Sequence, residues 1–170
     1  TEEFISPYFE NDIKAAVGII LEKEAPISHT LLTSRVLQSF GINRAGKRTL
    51  NHLNNVLTKM KLPQTESYGT DFFWKKDSIP EEYVGFRVNL GRDCREINDV
   101  PVEEISNALC TVLYEQINME LSDLIKQTAL KLGYAGRSRS IPPVIESAID
   151  YAGEKDFITK NSNGKIVLTI

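Results

Sequence analysis

The sequence predicts a mainly α-helical α+β fold with small β-hairpins, built twice in tandem. Three observations predict it. The apolar pattern of the first half recurs at a spacing of 92 residues. Each copy reads as three amphipathic helices, and each ends in a turn-rich hairpin pattern.

The repeat is visible residue by residue. Ile13, Ala16, Val17, Ile20 and Leu21 follow the i, i+3, i+4, i+7, i+8 spacing of a helix buried along one stripe, and they correspond to Ile105, Ala108, Leu109, Val112 and Leu113. Ile27 falls on Met119, Leu32 on Leu124, and the corner Phe40-Gly41 on Leu132-Gly133. Leu53 and Leu57 fall on Ile145 and Ile149. Any two amphipathic helices can be slid into agreement. A shared glycine corner between two helices is harder to obtain by sliding.

Helix one is expected from about Asp12, as N-cap, to Glu24, with Pro26 marking its end. Helix two begins near Ser28 and stops at Gly41, a natural C′ glycine. Helix three is expected from about Arg44 to Met60. Leu62 to Glu66, the turn Tyr68-Gly69-Thr70 and the run Phe72-Phe73-Trp74 then suggest two short strands. In the second copy, Pro142 and Pro143 belong in the first turn of the third helix, where proline is tolerated. Asp156 to Lys160, Asn161-Ser162-Asn163-Gly164 and Lys165 to Ile170 form the matching hairpin signal. Helix, helix, turn, helix, hairpin is the order of a winged helix-turn-helix. Residues 1–11 thus read as an N-terminal extension, 12–76 as copy one, 77–101 as an ordered connector and 102–170 as copy two. Within the connector, the alternation of Val84, Phe86 and Val88 suggests a strand over Tyr83 to Leu90.

At 170 residues the chain accommodates two small domains, each with a modest core, so the copies are expected to pack on one another or on a neighbour. No apolar run reaches membrane-spanning length, and the acidic start, Glu2-Glu3, lacks a signal-peptide layout. Cys94 and Cys110 have no metal-type partners at short spacing. A soluble, reduced, cytoplasmic setting is the expectation.

The net charge of −3 is unevenly spread. Residues 1–24 hold six acids and two bases, whereas residues 25–65 hold no acid and six bases: Arg35, Arg44, Lys47, Arg48, Lys59 and Lys61. On helix three, Leu50, Leu53, Val56, Leu57 and Met60 share the core side. Arg44, Lys47, Arg48, Asn51, Asn55, Thr58 and Lys59 fall opposite. Cations there suit phosphates, and amides suit base edges. A solvated basic helix face would have the same composition. Copy two lacks this surface: Glu146 and Asp150 occupy the exposed part of its third helix, leaving Arg137, Arg139, Lys155 and Lys165 as loop and wing cations.

Catalytic patterns are weak. His29 and His52 stand alone, and no phosphate loop, nucleophile elbow or metal spacing occurs. Glu81-Glu82 reads as a loop pair, and Glu103-Glu104 as a helix start favoured by the helix dipole. Phe72, Phe73 and Trp74 could stack on bases at a wing, although strand alternation favours a core role.

The stretch ILEKEAPISHTLLTSRVLQSFGINRAGKR from Ile20 to Arg48, the FFW run followed by PEEYVGFRV, and the later VPVEEISNAL and LIKQTALKLGYAGRSR segments resemble a bacterial family of unknown function. Its signature is glutamate-x-proline with glycine-x-x-arginine, here Glu24-Ala25-Pro26 and Gly41-Ile42-Asn43-Arg44, and the resemblance runs over about residues 12–170. In copy two, Gln116-Ile117-Asn118 replaces the first element. Such domains sit at the C-terminal end of large superfamily I helicase proteins, often beyond a nuclease-like domain related to very-short-patch-repair endonucleases. The resemblance therefore implies an accessory domain whose motor and nuclease residues lie upstream, and it assigns no catalytic residue here.

The expected function is a non-catalytic DNA-binding accessory module, contacting the duplex or a single strand through Arg44, Lys47, Arg48, Asn51, Asn55, Lys59 and Lys61, with Arg137 and Arg139 assisting. The alternative is a docking module for other domains of the parent helicase or for a partner protein. Neither requires a cofactor, a metal, a membrane or a small-molecule substrate.

Overall fold

The computed structural model describes residues 3–90, 94–134 and 138–169. The chain divides between Pro80 and Glu81 into two compact units. Unit one contains α1 (Glu10–Glu24), β1 (Ile27–Ser28), α2 (His29–Ser39), α3 (Lys47–Met60), β2 (Gln64–Ser67) and β3 (Thr70–Phe73). Unit two contains α4 (Val102–Gln116), β4 (Asn118–Met119), α5 (Leu121–Lys131), α6 (Ile141–Glu154), β5 (Ile158–Lys160) and β6 (Ile166–Leu168). The fold is α+β, with six α-helices and two small antiparallel three-stranded sheets among the described residues.

Both units run helix, short strand, helix, helix, hairpin. Their sheets have matching strand orders, β1-β3-β2 and β4-β6-β5. The hairpins expected from sequence therefore each gain a third strand, because a two-residue strand in the connector between the first two helices pairs with the last strand, Ile27 opposite Phe73 and Met119 opposite Ile166. Two residues are too short to leave a periodic signal.

The repeat spacing holds at the helices. Glu10 to Val102 and His29 to Leu121 are each 92 residues apart. Lys47 and Ile141, which open the third helices, are 94 apart. The buried faces nevertheless stay in the original register: Thr49, Leu53 and Val56 are buried, as are Ile141, Ile145 and Ala148. Burial, rather than the helix end, carries the repeat.

Each second helix ends in the same cap. In unit one the Gly41 N–H donates to the Gln38 carbonyl at 2.9 Å and the Ile42 N–H to the Leu37 carbonyl at 2.9 Å. In unit two Gly133 donates to Leu130 at 3.0 Å and Tyr134 to Ala129 at 2.8 Å. This is a Schellman cap, and it requires a left-handed residue at C′; φ is 69° at Gly41 and 88° at Gly133.

Several boundaries differ from the sequence expectation. Helix α1 starts at Glu10 behind a 3-10 turn, Pro7–Phe9, so Asp12 lies in its first turn instead of capping it. The N-terminal stretch is no mere extension. Phe4 is buried in the core of unit one, edge-on to Phe40 with ring centroids 5.2 Å apart, a burial that contributes about 2 kcal/mol. The stretch Tyr83 to Leu90 forms no strand. The Tyr83 and Gly85 carbonyls accept from the Asn107 side chain at 2.8 and 3.0 Å, and the Asn89 N–H donates to Leu132 at 2.8 Å. These backbone groups are held by a helix side chain and a helix-end carbonyl, with no sheet ladder. Phe72, Phe73 and Trp74 are all buried, which excludes stacking on a ligand at the hairpin surface. The Trp74 indole donates to Thr65 Oγ1 at 3.0 Å. Cys94 and Cys110 are free thiols, and no helix among the described residues is long and apolar enough to cross a membrane.

Unit two contains one buried charge cluster. The Glu104 side chain is fully buried on α4, within the helix start to which the sequence assigns the Glu103-Glu104 pair. Its two oxygens accept from the Arg87 backbone N–H at 2.8 Å, from Arg87 Nε and Nη2 at 3.2 and 2.8 Å, and from Arg95 Nη1 and Nη2 at 2.9 and 2.8 Å. Burial alone would raise the Glu104 pKa, but the hydrogen bonds and charges of Arg95 and Arg87 win and hold it below the usual carboxylate range.

Two stability outcomes follow from these contacts. A Cβ on Gly133 would lie 2.7 Å from the Asn89 carbonyl oxygen and 3.0 Å from its nitrogen, whereas one on Gly41 would meet nothing within 4 Å. Gly41→Ala should cost about 1 kcal/mol through left-handed strain alone. Gly133→Ala should cost about 3 kcal/mol, because backbone cannot yield cheaply; equal losses in urea unfolding would contradict the close approach. Glu104→Gln should destabilise by about 3–5 kcal/mol at neutral pH, since it leaves two arginines around a neutral amide. The contribution of Glu104 is present above the unfolded carboxyl pKa and disappears as pH falls through its lower folded value. Thermal melts from pH 7 to pH 3 should show the variant and the wild type converging in acid.

Candidate nucleic-acid interface

The candidate surface is built on α3. Its buried residues Thr49, Leu53, Val56 and Leu57 face the core of unit one, which forces the intervening positions outward. Lys47, Arg48, Asn51, Asn55 and Lys59 are accordingly exposed. Lys47, Arg48, Asn51, His52 and Asn55 line one open depression of about 540 Å³, closed on another side by Ile5 from the N-terminal stretch. Four residues named from sequence thus share one concavity, while Ile5 and His52 were missed. The apolar pair Phe4-Ile5 before Ser6-Pro7 was the available signal, since proline just inside a helical turn anchors what precedes it. The His52 ring stands edge-on to Phe4 at 6.1 Å, with its Nε2 buried and unpaired among the described residues.

The remaining candidates are placed differently. Arg44 is exposed but lies in the bend before α3, because the helix begins only after the extended Gly46 N-cap. Lys61 is exposed and ends α3 in a left-handed conformation, φ 49° and ψ 45°. Arg139 is exposed in the turn before α6, whose first turn contains Pro142 and Pro143 as expected. Arg137 lies outside the described residues.

The uninterrupted basic charge of residues 25–65 is partly neutralised by acids from α1. Lys59 Nζ pairs with Glu10 at 2.8 Å, and Arg35 Nε with Glu24 at 3.1 Å. Glu10 also accepts from Lys14 at 2.8 Å. The Lys14 hydrogen bond, followed by that of Lys59, lowers the Glu10 pKa to about 2. The carboxylate therefore remains charged at neutral pH and Lys59 remains partnered. Among the described residues Arg44, Lys47, Arg48 and Lys61 have no carboxylate partner, so the free cations of residues 25–65 gather around the N-terminal end of α3 and at its C-cap.

The amides divide in the same way. Asn54 Oδ1 is 2.9 Å from His29 Nε2 and is engaged within the unit. Asn51 and Asn55 have no hydrogen-bond partner among the described residues. The corresponding positions of unit two, 92 residues on, are Arg139 for Lys47, Ser140 for Arg48, Pro143 for Asn51 and Ser147 for Asn55. Unit two keeps one cation and no amide there.

A family model described as a protein of unknown function (DUF3320) matches residues 2–50, which run from the N-terminal stretch through α1 and α2 into the first turn of α3. The matched part includes Arg44, Lys47 and Arg48 and is shorter than the 12–170 span over which the sequence resemblance was read. No curated protein and no solved structure matches the chain.

The ion-pair geometry is directly measurable. In an NMR titration the Glu10 carboxyl should stay ionised until about pH 2 in the wild type. Lys59→Ala should raise its pKa only partway, because Lys14 remains. The Lys14→Ala, Lys59→Ala double variant should return it towards 4.5. An unchanged value in the double variant would contradict the pairing.

Proposed function

We propose that this chain is a non-catalytic nucleic-acid-binding module of the winged-helix type, acting as an accessory domain of a superfamily I helicase- or nuclease-type protein. The observation that carries the proposal is the depression on α3, where Lys47, Arg48, Asn51 and Asn55 converge without internal partners. The matching order of elements in both units supports the winged-helix assignment, in which the third helix enters a groove and the hairpin flanks it. The link to a helicase rests on the sequence resemblance alone.

In this reading Lys47 and Arg48 contact phosphates at the mouth of α3, with Arg44 just before it and Lys61 at its far end. Lys59 contributes less, because binding must first draw it from Glu10. Arg139 assists from unit two, and Arg137 is carried with it on sequence grounds. Phosphate contacts supply affinity and register, whereas base edges supply specificity.

A second reading has its own support. Tyr114, Ile117, Leu121 and Leu130 of unit two are exposed at 80%, 75%, 46% and 47%. Their 92-residue counterparts in unit one are Glu22, Ala25, His29 and Gln38. Apolar groups along α4 and α5 suit contact with a protein partner or another domain of the parent protein. In this second reading the chain docks on protein and has no intrinsic affinity for DNA.

Fluorescence anisotropy with short duplex and single-stranded DNA, titrated with salt, tests the proposal. Wild type should bind with a negative salt slope. The Arg44→Ala, Lys47→Ala, Arg48→Ala variant should lose affinity and make the slope shallower by about 2 to 3, near 0.9 per lost phosphate contact. Absence of binding at low salt would refute the nucleic-acid reading and leave docking.

A further inference from the structure

The two free amides of α3 have a geometry more specific than phosphate attraction requires. Lys47, Asn51 and Asn55 are spaced i, i+4, i+8 and form one row along the exposed face, beginning at the N-terminal end of the helix. Successive members of the row are separated by about 6 Å along the axis. An asparagine amide presents one donor and one acceptor side by side. That pair complements adenine in the major groove, where N7 accepts and the N6 amino group donates; guanine offers two acceptors, O6 and N7, and leaves the amide oxygen facing an acceptor. Ile5, which shares the depression, supplies an apolar surface of the kind that contacts the methyl of the partner thymine, on the same major-groove edge of the base pair.

We infer that α3 reads adenine–thymine pairs in the major groove of B-form DNA through the Asn51 and Asn55 amides, with Ile5 against a thymine methyl. The inference rests on the nucleic-acid reading above and adds the substrate class: A·T-containing duplex DNA. The roughly 6 Å separation spans nearly two base-pair steps of about 3.4 Å, so the two amides read adenines within three consecutive pairs. Asn54, their neighbour, is not a reader, because its side-chain oxygen is taken by His29. Duplex RNA is excluded as the preferred ligand, since its major groove is too deep and narrow to admit a helix.

The test is competition anisotropy with duplexes identical except for a central block of mixed A·T or of G·C pairs. Mixed A·T sequence, instead of an A-tract, keeps groove narrowing out of the comparison. Wild type should favour the A·T block by roughly tenfold or more. The Asn51→Ala, Asn55→Ala variant should lose most of that preference, keeping only the part that Ile5 draws from the thymine methyl. Replacing the block adenines by 7-deazaadenine should reduce the wild-type preference likewise, because it removes N7. Circular dichroism controls for folding, which two exposed substitutions should leave intact. Equal wild-type affinity for the two blocks overturns the inference while leaving phosphate binding standing. A preference undiminished in the double alanine variant, or by the 7-deaza substitution, shows that the amides do not read adenine and overturns the inference as well. Failure to bind either block at low salt removes this inference together with the nucleic-acid reading.

Discussion

The left-handed glycine that ends α2 and α5 is the constraint from which each unit is built. It stops the second helix in a Schellman cap, satisfies the terminal carbonyls and turns the chain towards the third helix. Only glycine takes this conformation without strain, so the direction of the third helix depends on Gly41 in one unit and on Gly133 in the other. In unit one the turn leads through Arg44 and Gly46 to the cationic mouth of α3. The candidate interface thus inherits its placement from a backbone torsion two turns away. In unit two the same glycine has a second role, because the Asn89 backbone packs where a side chain would be.

That difference shows how one repeat has been put to two uses. Unit two secures the segment before α4 with a buried carboxylate and two arginines. Its α4 buries Glu104 and Ser106 as well as its apolar stripe. A charged cluster of this kind is costly to desolvate and is maintained by five donors converging on one carboxylate. Asn89 braces the same segment, donating to the Arg95 carbonyl at 3.0 Å and accepting from the Arg95 N–H at 2.7 Å. Among the described residues unit one has no counterpart, and the Asn51 and Asn55 amides along α3 are exposed. The pairings of Lys59 with Glu10 and of Arg35 with Glu24 leave the remaining cations of residues 25–65 around the two ends of α3.

Much of this was legible in the sequence, and the limits are physical. The period of the apolar residues located α1, α2 and α3 within a few residues, and the 92-residue offset of the buried positions held even where α6 starts late. Exposed positions on α3 followed from helical geometry once its core residues were known. Strands of two residues left no signal, and the stretch Tyr83 to Leu90 imitated a strand by alternation while its backbone bonded to Asn107 and Leu132. The burial of Glu104 left no signal, because a carboxylate at a helix start looks the same in sequence whether it faces water or two arginines from 17 and 9 residues upstream. Phe4 and Ile5 lay outside any periodic run.

The sequence by itself determined the repeat, the helices and their buried faces, the glycine corners and the concentration of bases in residues 25–65. These depend on local periodicity and backbone chemistry, which are written in neighbouring residues. Tertiary structure alone decided which cations remain free, which amides lack partners, and that Ile5 and His52 join Lys47, Arg48, Asn51 and Asn55 around one depression. A pairing such as Lys59 with Glu10 joins residues 49 apart. Coulomb energy and hydrogen bonding depend on distance in space, which the linear order does not carry until the chain is folded.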